Sequence, residues 1–120
     1  MMFNDHLPIY TQIMDIIKQR IVSGALREGE KLPSVRDLST ELKVNPNTIQ
    51  RSYQELEREG FVFTQRGMGT FVTEDKEYIA KLKDYMATTL VKNFMIEMKA
   101  LGFEVKQVIE LINQQIKEEQ

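Results

Sequence analysis

Side chains that can bind nucleobases recur along residues 47 to 58. At about 100° per residue, a helix over this segment places its polar residues on the side opposite Ile49, Tyr53 and Leu56. The polar residues are Asn47, Gln50, Arg51, Gln54 and Arg58. Arginine presents a planar fork that fits guanine, and the amides of Asn and Gln match the donor and acceptor of adenine in the major groove. The segment therefore predicts a helix with one buried face and one face suited to DNA.

Two capping patterns predict where this helix and the preceding one begin. Ser34 and Asp37 stand three residues apart, a variant capping box that opens a helix of about two turns. Asn45-Pro46 restarts a helix, because the Asn oxygen accepts from free backbone amides and proline fits the first helical position. A hairpin with a glycine-bearing tip follows over residues 61 to 73. This order of elements predicts a winged helix-turn-helix.

Apolar spacing and chain breaks predict the remaining elements. An amphipathic helix is expected over residues 7 to 22, and residues 24 to 33 are interpreted as a loop whose Leu26 and Leu32 turn back toward the core. After the hairpin we expect a long helix, about 75 to 101, and a shorter one, about 103 to 118. The predicted fold class is mainly α with a small β-hairpin.

Contacts to the DNA backbone are predicted around the third helix. Thr48 can donate to a phosphate or touch a thymine methyl group. Arg36, in the first turn of the second helix, and Arg66, at the hairpin tip, would reach strand backbone or the adjacent minor groove. The C-terminal half of the third helix is flanked by acids that would repel phosphate, namely Glu55, Glu57 and Glu59. We therefore expect its N-terminal half to enter the major groove.

Charge and composition exclude several classes of protein. The chain of 120 residues has a formal net charge of -2, and residues 1 to 73 carry nine Lys and Arg against nine Asp and Glu, so nucleic-acid binding needs a local basic patch. The chain has no cysteine and one histidine. We expect no metal site, no cofactor and no catalytic site, since no phosphate loop or His-carboxylate pair occurs. No long apolar run occurs, so we expect a cytoplasmic protein without a membrane segment.

The tail after residue 73 predicts a homodimer. Its apolar residues cover too wide an arc for two helices to bury by themselves. The simplest way to bury the remaining apolar surface is contact with a partner subunit. The predicted interface consists of Leu82, Met86, Leu90, Phe94, Met98, Val108 and Ile112. Twofold symmetry would set two third helices about 34 Å or more apart on one side of the DNA. The expected organisation is a winged helix-turn-helix domain over 1–73 and a dimerisation and possible effector region over 74–120.

The run from Leu32 to Val72 resembles the DNA-binding signature of the GntR family of bacterial transcriptional regulators. It contains Leu-Pro-Ser, an Arg two residues beyond that Ser, the Thr of the third helix, Leu-Glu-x-Glu-Gly and Gly-x-Gly-Thr-x-Val. The opening Pro-Ile-Tyr-Thr-Gln-Ile and the two-helix tail are similar to the YtrA subfamily. The resemblance implies a sequence-specific regulator, generally a repressor, that binds palindromic operators as a homodimer. In this subfamily the genes often lie beside transporter genes.

The resemblance also places residues at the DNA. Those matching family contacts to bases or phosphates are Arg36, Asn45, Asn47, Thr48, Gln50, Arg51, Arg66 and Gly67. Ser34 and Gln54 complete the predicted DNA-binding set. The family usually has Ser-Arg or Thr-Arg where this chain has Asn45-Pro46, so one basic contact is lost and the operator sequence does not carry over.

Alternative interpretations remain open at this point. A winged module could bind protein through an apolar surface formed by Phe61, Phe63 and Phe71, and its binding would be insensitive to salt. Glu57 and Arg58 can be interpreted as simple surface charges. His6 is interpreted as an exposed or capping residue rather than as a metal ligand. A crevice at the dimer interface, lined by Phe94, Met95 or Met98, is a hypothesis for a small-molecule effector site.

Overall fold

The computed structural model describes residues 3–120 and contains the predicted elements. They are α1 (Ile9–Val22), α2 (Val35–Leu42), α3 (Pro46–Arg58), β1 (Val62–Gln65), β2 (Gly69–Val72), α4 (Lys76–Ala100) and α5 (Val105–Glu119). The mainly α fold with a small β-hairpin is therefore confirmed. Within residues 3–120, no helix combines the length and apolar character that crossing a membrane requires.

The first three helices form one core. Ile13, Ile17 and Leu38 of α1 and α2 are fully buried together with Ile49 and Leu56 of α3. Leu26 and Leu32 are also buried, as their place in a connecting segment predicted. Burial of large aliphatic side chains stabilises each by about 1.5–3 kcal/mol relative to exposure, so this core holds the three helices together.

The caps expected from the sequence are present. The Ser34 hydroxyl accepts from the Asp37 amide at 3.0 Å, and the Asn45 side chain accepts from the Asn47 amide at 2.8 Å. Pro46 is the first residue of α3. The tight turn between α2 and α3 passes through Lys43, whose φ of 56° is left-handed. Caps and turn together set the start of α3, the half of that helix with the predicted base contacts.

The hairpin gains a third backbone segment that the sequence did not reveal. β1 and β2 pair antiparallel, with Val62 opposite Val72. Residues 29 to 32 then pair with β2, because the Val72 amide donates to the Glu30 carbonyl at 2.8 Å and the Leu32 amide donates to the Thr70 carbonyl at 2.8 Å. The interpretation of residues 24 to 33 as a loop therefore holds, since no helix or strand forms there, but residues 29 to 32 of this loop also bond to β2 and anchor the wing to the start of α2.

The chain divides into two compact units at a point within α4, between Leu82 and Lys83. The start of α4 belongs to the first unit: the Tyr78 ring stacks on Phe61 at 4.9 Å between centroids, and its hydroxyl donates to the Glu59 carbonyl. This contact ties α4 to the end of α3.

The second unit contains the rest of α4, a turn at Gly102 and α5. Gly102 has a φ of 93°, and the backbone amide of Glu104 donates to the Gln107 side chain at 2.9 Å, which caps α5. Val108 is buried. Many large apolar side chains of this unit are nevertheless exposed in the single protomer, among them Leu90 at 70% and Ile96 at 66%.

Candidate nucleic-acid interface

The polar residues predicted on α3 lie together on an exposed face. Asn47, Gln50, Arg51, Gln54 and Arg58 are exposed, and Thr48 is half-buried. The opposite face of α3 is closed, since Ile49, Tyr53 and Leu56 are at most 5% exposed. The helix is therefore fixed from behind while its donor-rich side remains open to a ligand.

Tyr53 fixes α3 by a hydrogen bond as well as by packing. Its hydroxyl donates to the Pro33 carbonyl at 2.6 Å, just before the cap of α2. Burial raises the pKa of Tyr53 above its ordinary value of 10. The phenol therefore stays protonated and keeps donating, which holds the start of α2 against α3.

Arg51 has a partner that the sequence did not predict. Its guanidinium lies over the ring of Tyr10, with the central carbon 3.8 Å from the ring centroid. Among residues 3–120 it forms no ion pair and no side-chain hydrogen bond. The N–H groups of Arg51 therefore remain available, although the planar group is held against an aromatic surface.

Arg58, by contrast, is engaged within α3. Its Nε donates to Glu55 at 3.0 Å, and the same carboxylate also pairs with the terminal nitrogen of Arg58. This hydrogen-bonded carboxylate raises the pKa of Arg58. The two arginines of the exposed face thus differ, since the charge of Arg58 is compensated and that of Arg51 is not.

All three glutamates near the end of α3 are bound inside the first unit. Glu55 pairs with Arg58, and Glu59 forms a salt bridge with Lys18 at 3.2 Å. Glu57 accepts from the backbone amide of Thr64 at 2.8 Å and from its hydroxyl at 3.3 Å. Glu57 and Arg58 are exposed, as their interpretation as surface charges requires, but both also have partners: Glu57 joins α3 to the first strand of the wing, and Arg58 pairs with Glu55.

The remaining predicted contacts flank α3. Arg36 is exposed in the first turn of α2, while the side-chain oxygens of Ser34 and Asn45 are occupied as caps. Arg66 and Gly67 are exposed at the tip between β1 and β2, where Gly67 has a φ of 78° that side chains rarely adopt. The structure therefore exposes one cation in the first turn of α2 and one at the hairpin tip, on the two elements that flank α3 along the chain.

A surface groove of about 450 Å³ runs between the start of α1 and the first turns of α3. It is lined by Pro8, Ile9, Tyr10, Asn47, Thr48 and Arg51. Three of these belong to the predicted DNA-binding set, and three belong to α1 and the residue before it. Tyr10 lies in the amphipathic helix predicted over residues 7 to 22, but nothing in the sequence indicated its contact with Arg51.

The predicted dimer residues differ in how much surface they expose. Leu90, Phe94 and Ile112 are exposed, and Met86 and Met98 are half-buried. Leu82 and Val108 are already buried in the protomer, at 9% and 1% exposure. These two have little surface left for a partner, so a dimer interface would depend on the other predicted residues.

Comparison with known proteins gives a consistent result. The profile described as "Bacterial regulatory proteins, gntR family" matches residues 9–72. The HTH-type transcriptional repressor YtrA of Bacillus subtilis is 39% identical, over 89% of this chain and 83% of that protein. The family model and this relative both describe transcriptional regulators, which confirms the expectation that the chain is not an enzyme.

Solved structures extend the similarity to the fold and to DNA complexes. A GntR family transcriptional regulator from Listeria monocytogenes has a TM-score of 0.86 at 45% identity, covering 93% of this chain and 98% of that one. The DNA-binding domain of AraR in complex with operator ORX1 has a TM-score of 0.54 at 30% identity, covering 56% of this chain and 81% of that one.

Proposed function

We propose that this chain, which belongs to the GntR family and is a DNA-binding transcriptional regulator similar to YtrA, represses transcription. In this proposal it binds a palindromic operator as a homodimer. One observation carries the proposal. The exposed face of α3 concentrates donors and acceptors on a helix whose opposite face is buried. A helix held in this way can enter the major groove without losing its own packing.

In the proposed complex, the N-terminal half of α3 lies in the major groove. Arg51 reads a guanine, and the amides of Asn47, Gln50 and Gln54 read adenines or support their neighbours. Arg66 at the wing tip contacts the backbone or the adjacent minor groove, and Arg36 contacts the backbone beside α2. Compensation of Glu55 by Arg58 and of Glu59 by Lys18 lowers the repulsion of phosphate near the end of α3, so the preference for the N-terminal half rests on the exposed, uncompensated donors there.

The proposal of a homodimer rests on the second unit. Exposed Leu90, Phe94 and Ile112 would be buried against a second copy, and symmetry would then present two α3 helices to successive turns of the duplex. Repression is supported by the name of the relative YtrA, a transcriptional repressor. We place the protein in the cytoplasm, where a bacterial regulator meets DNA. An effector site near Phe94, Met95 and Met98 stays a hypothesis.

The alternative of a protein-binding wing has weak support. Phe61 is buried and stacked on Tyr78, and Phe63 stacks on Phe71 at 5.6 Å with both rings half-buried. Little of this aromatic surface is therefore open to a protein partner. Salt separates the two functions: binding to DNA weakens steeply as salt rises, because counterions are released, whereas apolar contact with a protein does not.

Selection of bound sequences from a random DNA pool tests the proposal. We expect an enriched sequence with twofold symmetry, whose affinity falls steeply with salt. On that sequence, Arg51→Ala should cost about 1–3 kcal/mol and relax the preference at one base pair of each half-site. Arg66→Ala should weaken all sequences more evenly. Recovery of no preferred sequence, or of binding indifferent to salt, would overturn the proposed function.

A further inference from the structure

We propose that Tyr10 of α1 is a positioning residue that holds Arg51 in place for base reading and thereby contributes to operator specificity. The inference rests on the proposed function and deepens it. Operator specificity would then depend on a residue of α1, which lies outside the helix-turn-helix formed by α2 and α3.

The geometry supports a specific role for the Tyr10 ring. The central guanidinium carbon of Arg51 lies 3.8 Å from the ring centroid, well within the distance at which a cation is attracted to an aromatic face. The contact is made over the ring through the central carbon, and among residues 3–120 no Arg51 N–H group donates to a protein acceptor. The edge of the guanidinium is the part of arginine that bonds to guanine, so the contact orients Arg51 without consuming its donors.

The backbone of Tyr10 is itself fixed to α3. The buried hydroxyl of Ser52 lies 2.9 Å from the Tyr10 carbonyl oxygen and 3.0 Å from the Thr48 carbonyl oxygen, so its single proton is shared between these acceptors. Ser52 directly follows Arg51 in α3. The tyrosine and the arginine are therefore tied to the same turn of one helix, which restricts their relative motion.

The surroundings explain why Arg51 relies on an aromatic surface. On the same face, Arg58 is oriented by Glu55, but that carboxylate occupies its donors. Among residues 3–120, Arg51 has no ion-paired acid. An aromatic ring restricts a long side chain while leaving its hydrogen bonds unsatisfied until DNA arrives, and such preorganisation reduces the entropy lost on binding. Tyr10 and Arg51 also line the groove that opens beside α3.

The test compares Tyr10→Leu, which removes the ring but keeps an apolar side chain, with Tyr10→Phe, which keeps the ring. Affinity is measured on the selected operator and on duplexes with single base-pair changes. We expect Tyr10→Leu to weaken operator binding about two- to fivefold, the equivalent of an exposed cation–π contact, and to reduce discrimination at the base pair where Arg51→Ala abolishes it. Tyr10→Phe should keep both the affinity and the discrimination.

A double-mutant cycle separates positioning from general damage to α1. In an Arg51→Ala background, Tyr10→Leu should cause no further loss, because the ring then has no guanidinium to hold. In the free protein, the NMR signal of the Arg51 Nε–H group should be shifted by the ring in the native and Tyr10→Phe proteins and should move toward its random-coil position in Tyr10→Leu.

The outcomes are distinguishable. An equal loss from Tyr10→Leu with and without Arg51, or full discrimination retained in Tyr10→Leu, would overturn the positioning role while leaving the proposed function intact. If the unmodified protein itself selects no sequence, the proposed function fails and the inference fails with it. If Tyr10→Leu does not fold, the Arg51 signal and the discrimination of Tyr10→Phe and Tyr10→Ala decide the matter.

Discussion

Single side chains hold the wing and the two helices of the motif in register. Glu57, near the end of α3, accepts two hydrogen bonds from Thr64 in β1, one from the backbone and one from the hydroxyl. Tyr53, on the buried face of α3, donates to the carbonyl that precedes α2. Each of these residues links two elements that must keep a fixed geometry if the wing and α3 are to contact one duplex together.

Removing the Glu57 carboxylate should loosen the wing. We expect Glu57→Ala to lower the free energy of unfolding by about 1 kcal/mol, since both hydrogen bonds are lost at a solvent-exposed site. The matched control is Asp15→Ala, at an exposed acid in α1, which should stay within about 0.5 kcal/mol of the native protein. Chemical denaturation measures both, and equal effects of the two substitutions would refute the role of Glu57.

Tyr53 predicts a specific dependence of stability on pH. Burial raises the pKa of Tyr53 in the folded state above the ordinary value of 10 that it has in the unfolded chain. As pH rises above 10, the unfolded chain therefore loses the phenol proton while the folded protein keeps it. The contribution of Tyr53 to the free energy of unfolding falls accordingly. At neutral pH, Tyr53→Phe should lower stability by about 1 kcal/mol, the value of the bond to Pro33. The difference between the two proteins should shrink above pH 10. A constant difference in thermal unfolding up to pH 11 would be inconsistent with this assignment.

Local chemistry was predictable from the sequence, and long-range partners were not. Ser34 and Asn45 bond to amides two or three residues away, so their types and spacing were enough to predict them as caps. Glu57 meets Thr64 only because a turn reverses the chain between them, and Arg51 meets Tyr10 across 41 residues of sequence. Neither contact leaves a periodic signal, so both required the fold.

At the scale of elements, the turn between α2 and α3 contains a strained residue. Lys43 ends α2 with a φ of 56°, a left-handed conformation in which its Cβ crowds the backbone. Its amide nevertheless donates to the Ser39 carbonyl and closes the helix. The tight connection that sets the angle between α2 and α3 is therefore made at some cost in stability.

Relief of this strain should be measurable. We expect Lys43→Gly to raise the free energy of unfolding by about 1 kcal/mol, because glycine adopts the left-handed region without steric cost. Lys43→Ala removes the same charge and the same long side chain but keeps the Cβ, so it should bring no comparable gain. Equal stability of the two variants in urea denaturation would show that the conformation of Lys43 is not strained.

The third segment of the wing illustrates a limit of reading elements from sequence. Residues 29 to 32 contain a glycine and charges, a composition typical of a loop, and they lack the alternation of a strand. Their amides and carbonyls are nevertheless paired with β2, at Gly29, Glu30 and Leu32. The pairing depends on where α1 and α2 place the two ends of this segment, and composition does not encode that.

At the scale of the whole molecule, the proposed homodimer matches the symmetry of the proposed operator. Operators with twofold symmetry are read by proteins with twofold symmetry, and the apolar side chains left exposed on the second unit are those a second copy would cover. The wide apolar arc of the tail was visible in the sequence. The sequence did not show that Leu82 and Val108 are buried within the protomer, because periodicity alone does not distinguish a contact within one chain from a contact between subunits.

A charge placed in the proposed interface should dissociate the proposed dimer. We expect Leu90→Glu to raise the dimer dissociation constant by about tenfold or more, because an unpaired carboxylate would have to be buried. Thr88→Glu introduces the same charge two residues earlier, about 200° around α4, and should change the constant little. Sedimentation equilibrium measures both. A native protein that stays monomeric at micromolar concentration would argue against the dimer.

Methylation interference on the selected operator tests most directly whether the exposed face of α3 reads base edges in the major groove. The account predicts that methylation of N7 on one guanine in each half-site blocks binding of the native protein. It also predicts that the Arg51→Ala protein loses its sensitivity to methylation at that guanine and keeps its sensitivity at all other positions. Binding blocked only by methylation of adenine N3 in the minor groove, with no sensitivity at any guanine N7, would contradict it.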